Sequence, residues 1–274
     1  MRDATFALLP LALTACERAT PPLTSAEARE AFAETVSSAR AEASTAELIE
    51  VSTRFTLGQA VEDAAEELAA FWESQAPCAI TQRDGATVTV DFGDLADDCT
   101  FNGHTFGGLV SVTVSRADTS SVLVHHEWTA FTNGVVTVDG GADVTWTGGE
   151  DPSRTVEHDL LWSDAERSGE STGNRTQRLI DPSAGLSAGI EVNGARGWIG
   201  DAGTWDLDID GIELRGQDPV PQAGVYTLTT PAEKVMTMAF ERIDEDSIQM
   251  TVSGIRGGDR VWLVTAEGQV VSEE

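Results

Sequence analysis

Between residues 86 and 265 apolar and polar side chains alternate with a period of two. The pattern runs through "ATVTVDF" (86–92), "GGLVSVTVSR" (107–116), "SVLVHHEW" (121–128), "GVVTVDGGADVTW" (134–146) and "RTVEHDLLW" (154–162). It resumes in "GTWDLDIDGIEL" (203–214), "KVMTMAFERI" (234–243), "DSIQMTV" (246–252) and "DRVWLVT" (259–265). Successive side chains of a strand point to opposite faces, so each segment predicts a strand with one dry and one wet face. Gly, Asn, Asp and Pro clusters separate the segments, and the Asn-Gly pairs at 102–103, 133–134 and 193–194 are turn signals. No helical period intervenes, which excludes parallel βαβ units and leaves an antiparallel meander. The most polar stretch, 164–187, reads as a long loop between two halves of the sheet.

Ahead of Pro77 the period is that of a helix. Three capping-box starts are present, Thr24 with Glu27, Ser44 with Glu47 and Thr56 with Gln59. Behind the first, Ala28, Phe32, Val36, Ala39 and Ala43 fall on one face; behind the third, Val61, Ala64, Ala65, Leu68, Phe71 and Trp72 do the same. The expected fold is therefore mainly β: a large antiparallel meander sheet or open barrel over 77–274, with two or three N-terminal helices over 24–76 covering its apolar face.

Residues 6–15 form an apolar run too short to span a bilayer as a helix, which takes roughly 20 residues, and suited to an export signal. The run ends in Leu13-Thr14-Ala15-Cys16, which resembles the lipobox of bacterial lipoproteins. That resemblance, confined to residues 1–16, implies cleavage before Cys16, acylation of its sulfur and attachment to a membrane on the extracytoplasmic side of the cell envelope. Residues 1–15 are then a signal peptide, and 16–23, with Pro21-Pro22, a tether. Of the three cysteines, Cys78 and Cys99 remain as a pair, and export predicts a disulfide between them.

A formal charge of −29 repels nucleic acid phosphates and anionic headgroups, so nucleic acid is excluded as a partner. Lys234 is the only lysine; every other side-chain cation except histidine is an arginine. Hydrophobic residues at 41% and seven Trp allow a sizeable core.

The search for chemistry yields little. "DLDIDG" (206–211) opens like a calcium loop through Asp206, Asp208 and Asp210, but position twelve is Gln217 where a bidentate Glu belongs. Its alternation with Trp205, Leu207 and Ile209 favours a strand with an acidic outer face. In "VHHEWTAF" the neighbours His125 and His126 lie in a strand and point to opposite faces, unlike the paired ligands of a zinc helix. Nucleophile-elbow, phosphate-loop and dinucleotide-binding signatures are missing from the sequence. Read by period two, His126 and His158 share the apolar side, with His126 opposite Gly140 and His158 near Gly140 or Ala142 on the strand between them, a candidate ligand site. A three-residue loop, Thr132-Asn133-Gly134, sets that register. No cofactor and no catalytic activity are expected. Two functional classes follow: a lipid-anchored envelope protein that binds an envelope partner or builds the surface, and a carrier holding a lipid or other apolar ligand between the helices and a concave sheet. An apolar cavity between helices and sheet separates the second from the first.

Overall fold

In Ser121–Thr132 the side chains of Val122, Val124, His126 and Trp128 are buried, whereas His125 and Glu127 are exposed. This alternation, repeated from strand to strand, gives a sheet one face that has to be covered. The computed structural model describes residues 20–54, 61–116, 121–149 and 152–272. Two helices come first, α1 (Ser25–Arg54) and α2 (Val61–Gln75). The first strands are β1 (Ile80–Asp84), β2 (Thr87–Asp91), β3 (Thr100–Phe101), β4 (His104–Thr105), β5 (Gly107–Arg116) and β6 (Ser121–Thr132). They are followed by β7 (Thr137–Thr147), β8 (Ser153–Ser163), β9 (Ser168–Leu179), β10 (Ile190–Gly200) and β11 (Gly203–Leu214). The last are β12 (Ala223–Thr229), β13 (Val235–Asp244), β14 (Ser247–Ser253), β15 (Arg260–Thr265) and β16 (Val270–Ser272).

Fourteen strands make one antiparallel sheet in chain order, β1-β2-β5 through β16, and the β3–β4 hairpin stands apart from it. Strands β1 and β16 are its two edges, so the sheet is open. The mainly-β meander expected from the alternation is the observed fold. Within the large sheet the strands outside the period-two segments are β1, β9, β10, β12 and β16, and β9 overturns the expectation of a loop over 164–187. It pairs with β8 from Ser163↔Ser168 to Ser153↔Arg178. Its sequence hides it because its inward positions are Gly169, Ser171, Gly173, Arg175 and Gln177. They have to be small or polar: a Cβ on Gly173 would lie 2.4 Å from the His158 ring, and one on Gly169 would lie 3.1 Å from that of Trp162.

The described residues form two α-helices. Thr24 caps α1 as expected: its backbone N–H donates to Glu27 Oε2 at 2.7 Å and the Glu27 N–H donates to its hydroxyl at 3.3 Å. The second expected start lies inside α1, where the Ser44 hydroxyl donates back to the Ala41 carbonyl at 2.8 Å; the third, Thr56 with Gln59, lies outside the described residues. Helix α2 buries Ala64, Ala65, Leu68 and Trp72 against β1, β2 and β5 and ends just before Pro77. There Trp72 meets Phe92 and Phe101 edge-on or tilted, with ring centroids 5.8 and 4.9 Å away. A Cys78–Cys99 disulfide, Cα atoms 5.3 Å apart, ties the helix exit to the segment before β3. Its sequence separation of 21 corresponds to about 3 kcal/mol of chain entropy removed from the unfolded state.

At thirty residues, α1 is about 45 Å long and crosses the inner face of the sheet. Just ahead of it, Leu23 is clamped to the β14–β15 connection, donating to Gly254 at 2.8 Å and accepting from Arg256 at 2.7 Å. Farther on α1 rests on β6, β7 and β8. Its buried face holds Ala31, Glu34, Ser37, Ser38, Ala41 and Glu42, then Ser44, Thr45, Leu48 and Ser52. The stripe expected to dock is a different one. Ala28 is buried, but Phe32 and Ala39 are half-buried, Ala43 is exposed and Val36 is 50% exposed.

Candidate functional site

That displaced stripe forms one wall of a cavity of about 490 Å³. Phe32, Val36, Ala39, Ala43 and Ala46 line it from α1. Leu207 and Ile209 of β11, Tyr226 and Leu228 of β12, and Met236 and Met238 of β13 line it from the sheet. Inward parity on each strand places them there. The volume falls in the roughly 300–1,000 Å³ range of small-molecule sites, with the expected mixture of apolar walls and a few convergent polar groups.

The charged groups are Glu42, Arg175 and Arg196, which also line the cavity. Glu42 projects from the buried face of α1. Its Oε2 accepts from Arg175 Nη1 of β9 at 2.6 Å and its Oε1 from Arg196 Nη1 of β10 at 2.7 Å. His158 Nε2 of β8 lies 3.7 Å from the same Oε1 and 3.3 Å from the Ser171 hydroxyl. Burial opposes the charge on Glu42, but the two guanidinium groups outweigh it and hold the carboxyl below its ordinary range. Burial pushes the His158 imidazole down, toward its neutral form, against the attraction of Glu42. The Arg196 guanidinium lies over the Trp198 ring, 5.1 Å from its centroid, and Trp198 stacks on Trp205 of the paired strand at 5.9 Å. Burial raises the Tyr226 phenol, so the hydroxyl stays protonated at neutral pH.

Sequence reasoning named His158 as a candidate but missed Glu42, Arg175, Arg196 and Tyr226 as site residues. Arg196 shares parity with Val192 and Trp198, and an arginine on an apolar face is the signal that would have found it. Glu42 has the corresponding signal within a helix, an acid beside Ala41 and Thr45 on the side of Leu48.

The expected histidine site is placed differently. His126 and His158 do share the inward face, but both pair with Ala142. Gly140 stands opposite Trp128 and Leu160. The register differs because the loop runs from Asn133 to Val136, between paired Thr132 and Thr137, and because β6 bulges after Trp128. There Ala130 takes φ 47° and its N–H donates to Asp139 Oδ1 at 2.8 Å. Gly140, at φ 115°, is no gap for a ligand, since a Cβ there would lie 2.3 Å from the Asp159 carbonyl oxygen. The histidines also have separate partners: His126 Nε2 meets the Ser52 hydroxyl at 2.5 Å, while His158 meets Glu42. Ser52 and Glu42 are ten residues apart on α1, about 15 Å along its axis, so the rings do not converge on one ligand.

The Ser52–His126 pair has the composition of a nucleophile and its base. Both residues are sealed, at 1% and 0% exposure, so no substrate reaches the hydroxyl. His125 points outward and pairs with Asp143 at 2.7 Å. Asp206, Asp208 and Asp210 alternate along β11 with buried Trp205, Leu207 and Ile209, which makes them an acidic outer face and not a calcium loop. Among the described residues no group of three His, Cys, Asp or Glu is placed to hold a metal ion. Cys16 lies outside the described residues. Comparison with protein-family models, with curated proteins and with solved structures returned no match.

Proposed function

We propose that this chain is an exported, lipid-anchored carrier that holds an apolar ligand between α1 and strands β11–β13 without transforming it. The observation that carries the reading is the orientation of α1. Its apolar stripe lines an open cavity instead of the core, and the facing strands supply leucine, isoleucine and methionine to the same space. A helix serving only as a cover would bury that stripe and expose Glu42, Ser44 and Thr45. The adaptable thioethers of Met236 and Met238 suit a binding wall that accepts more than one shape. Export and anchoring rest on the lipobox-like Leu13–Cys16 segment, with which the Cys78–Cys99 disulfide is consistent.

Two experiments test the two halves of the proposal. Purified protein freed of co-purifying lipid should take up the fluorescent apolar probe N-phenyl-1-naphthylamine, and Ala39→Trp should lower uptake at least about tenfold at unchanged melting temperature, because the indole fills the cavity. Undiminished uptake by a folded Ala39→Trp protein places the probe elsewhere and ends the carrier reading. For the anchor, an alkyne fatty acid fed to cells should label the wild type and not Cys16→Ser; equal labelling removes it.

A further inference from the structure

The carrier reading does not say what sits at the polar end of the ligand, and the charges on the cavity floor do. We infer that the cavity selects a long-chain carboxylate, an amphiphile whose single anionic head is received by Arg175 and Arg196; this rests on the carrier reading.

Three charged side chains line the cavity, and they do not balance. Glu42 contributes one negative charge against the two positive charges of Arg175 and Arg196, in a protein whose net charge is −29. His158 adds none while its imidazole is neutral. An uncompensated guanidinium in an apolar space is unfavourable, and a bound monoanion removes the imbalance. A dianionic head would overshoot it, and a cationic head would add to it.

Hydrogen bonding points the same way. Glu42 engages Nη1 of each arginine, and among the described residues Arg196 Nη2 reaches only the Thr35 carbonyl, at 3.4 Å. The Nε–H groups of both arginines are buried and have no acceptor among the described residues. Arg196 as a whole is 7% exposed, so water does not stand in for one. Two guanidinium groups that line an open apolar cavity, with Tyr226 on the same wall, are the complement of a carboxylate. The chain that carries that carboxylate would lie along Phe32, Leu228 and Met238. A volume of about 490 Å³ suits one such chain better than a bulky multi-chain lipid.

The test is displacement of N-phenyl-1-naphthylamine from the full chain by dodecanoate, dodecan-1-ol and acetate. Dodecanoate should displace the probe at concentrations about 10- to 100-fold lower than dodecan-1-ol, the range expected for hydrogen bonds to a charged group. Arg175→Gln, which leaves Glu42 and Arg196 as a balanced pair, should abolish that preference and retain binding of the alcohol. Equal displacement by acid and alcohol on the wild type overturns the head-group inference and leaves the carrier reading standing. If neither compound binds and the probe is not taken up, both fall. Acetate competing as well as dodecanoate would leave a small-anion site and overturn the amphiphile. The wild-type comparison alone decides the matter if Arg175→Gln fails to fold.

Discussion

The inner face of the sheet is apolar over β6–β8 and again over β11–β13, yet α1 closes the first stretch and leaves the second open. Over β6–β8 it presents Ala41, Ser44, Thr45, Leu48 and Ser52, and Val124, Ala142, Val144 and Val156 are buried beneath it. Over β11–β13 it presents Phe32 and Val36 with Ala39, Ala43 and Ala46, and the leucine, isoleucine and methionine side chains opposite form the other wall of the cavity. Hydrophobicity alone therefore does not mark the core of this protein.

Glu42 sits on the seam between the halves, and the largest effect is expected there. Glu42→Gln leaves two guanidinium groups without their counter-charge and should destabilise the fold by about 3–5 kcal/mol, read as a lower urea midpoint at unchanged slope. The contrast is Glu50→Gln, which disrupts the pair between Arg154 and a Glu50 that is half-exposed, and which should cost under about 1 kcal/mol. Similar costs for the two would mean that the seam is not anchored by its buried charges.

That seam also marks where the sequence stops being legible. Strands β2, β5–β8, β11 and β13–β15 announce themselves because each puts a mainly apolar row on one face. Strand β9 does not, since the rings of Trp162 and His158 lie across it and its inward Arg175 is there to meet Glu42, a partner 133 residues away. Helix α1 was found from Thr24 and its period, but the face chosen for burial was the wrong one. Amphipathicity gives the more apolar side of a helix, and in α1 that side faces a cavity. The histidine register failed on two local features: a loop over 133–136 longer than expected, and a bulge at Ala130 that partly offsets it and has no local signature in "WTAFT" beyond the distant Asp139 that holds it.

The closed half carries its own titratable group. Burial lowers His126 from its ordinary value of 6.5 to about 4. The unfolded chain then takes up this proton near pH 6.5 while the folded chain resists until about pH 4. The contribution of neutral His126 is present above pH 6.5 and lost as the pH falls toward 4, amounting to about 3 kcal/mol over that window. His158, also pushed down, adds in the same direction. Urea midpoints at pH 7 and pH 4.5 should differ strongly in the wild type and markedly less in His126→Asn. An unchanged pH slope in that variant would show that the site titrates as it does in the unfolded chain.

The smallest effects are the most discriminating, because they compare two alanines two residues apart. Ala41 is fully buried against the closed half, whereas Ala43 is exposed and borders the cavity. Ala41→Leu forces extra methylenes into packed space and should cost about 1–3 kcal/mol. Ala43→Leu meets no packed neighbour and should stay within about 0.5 kcal/mol of the wild type. Binding should reverse the order: Ala43→Leu narrows the cavity and weakens uptake of the apolar probe, while Ala41→Leu, if folded, leaves the cavity wall intact. Equal stability costs would mean that α1 is packed alike on both sides, and the cavity would then be a shallow surface dip. Opposite rankings in stability and in binding are what a helix with one structural face and one ligand face requires.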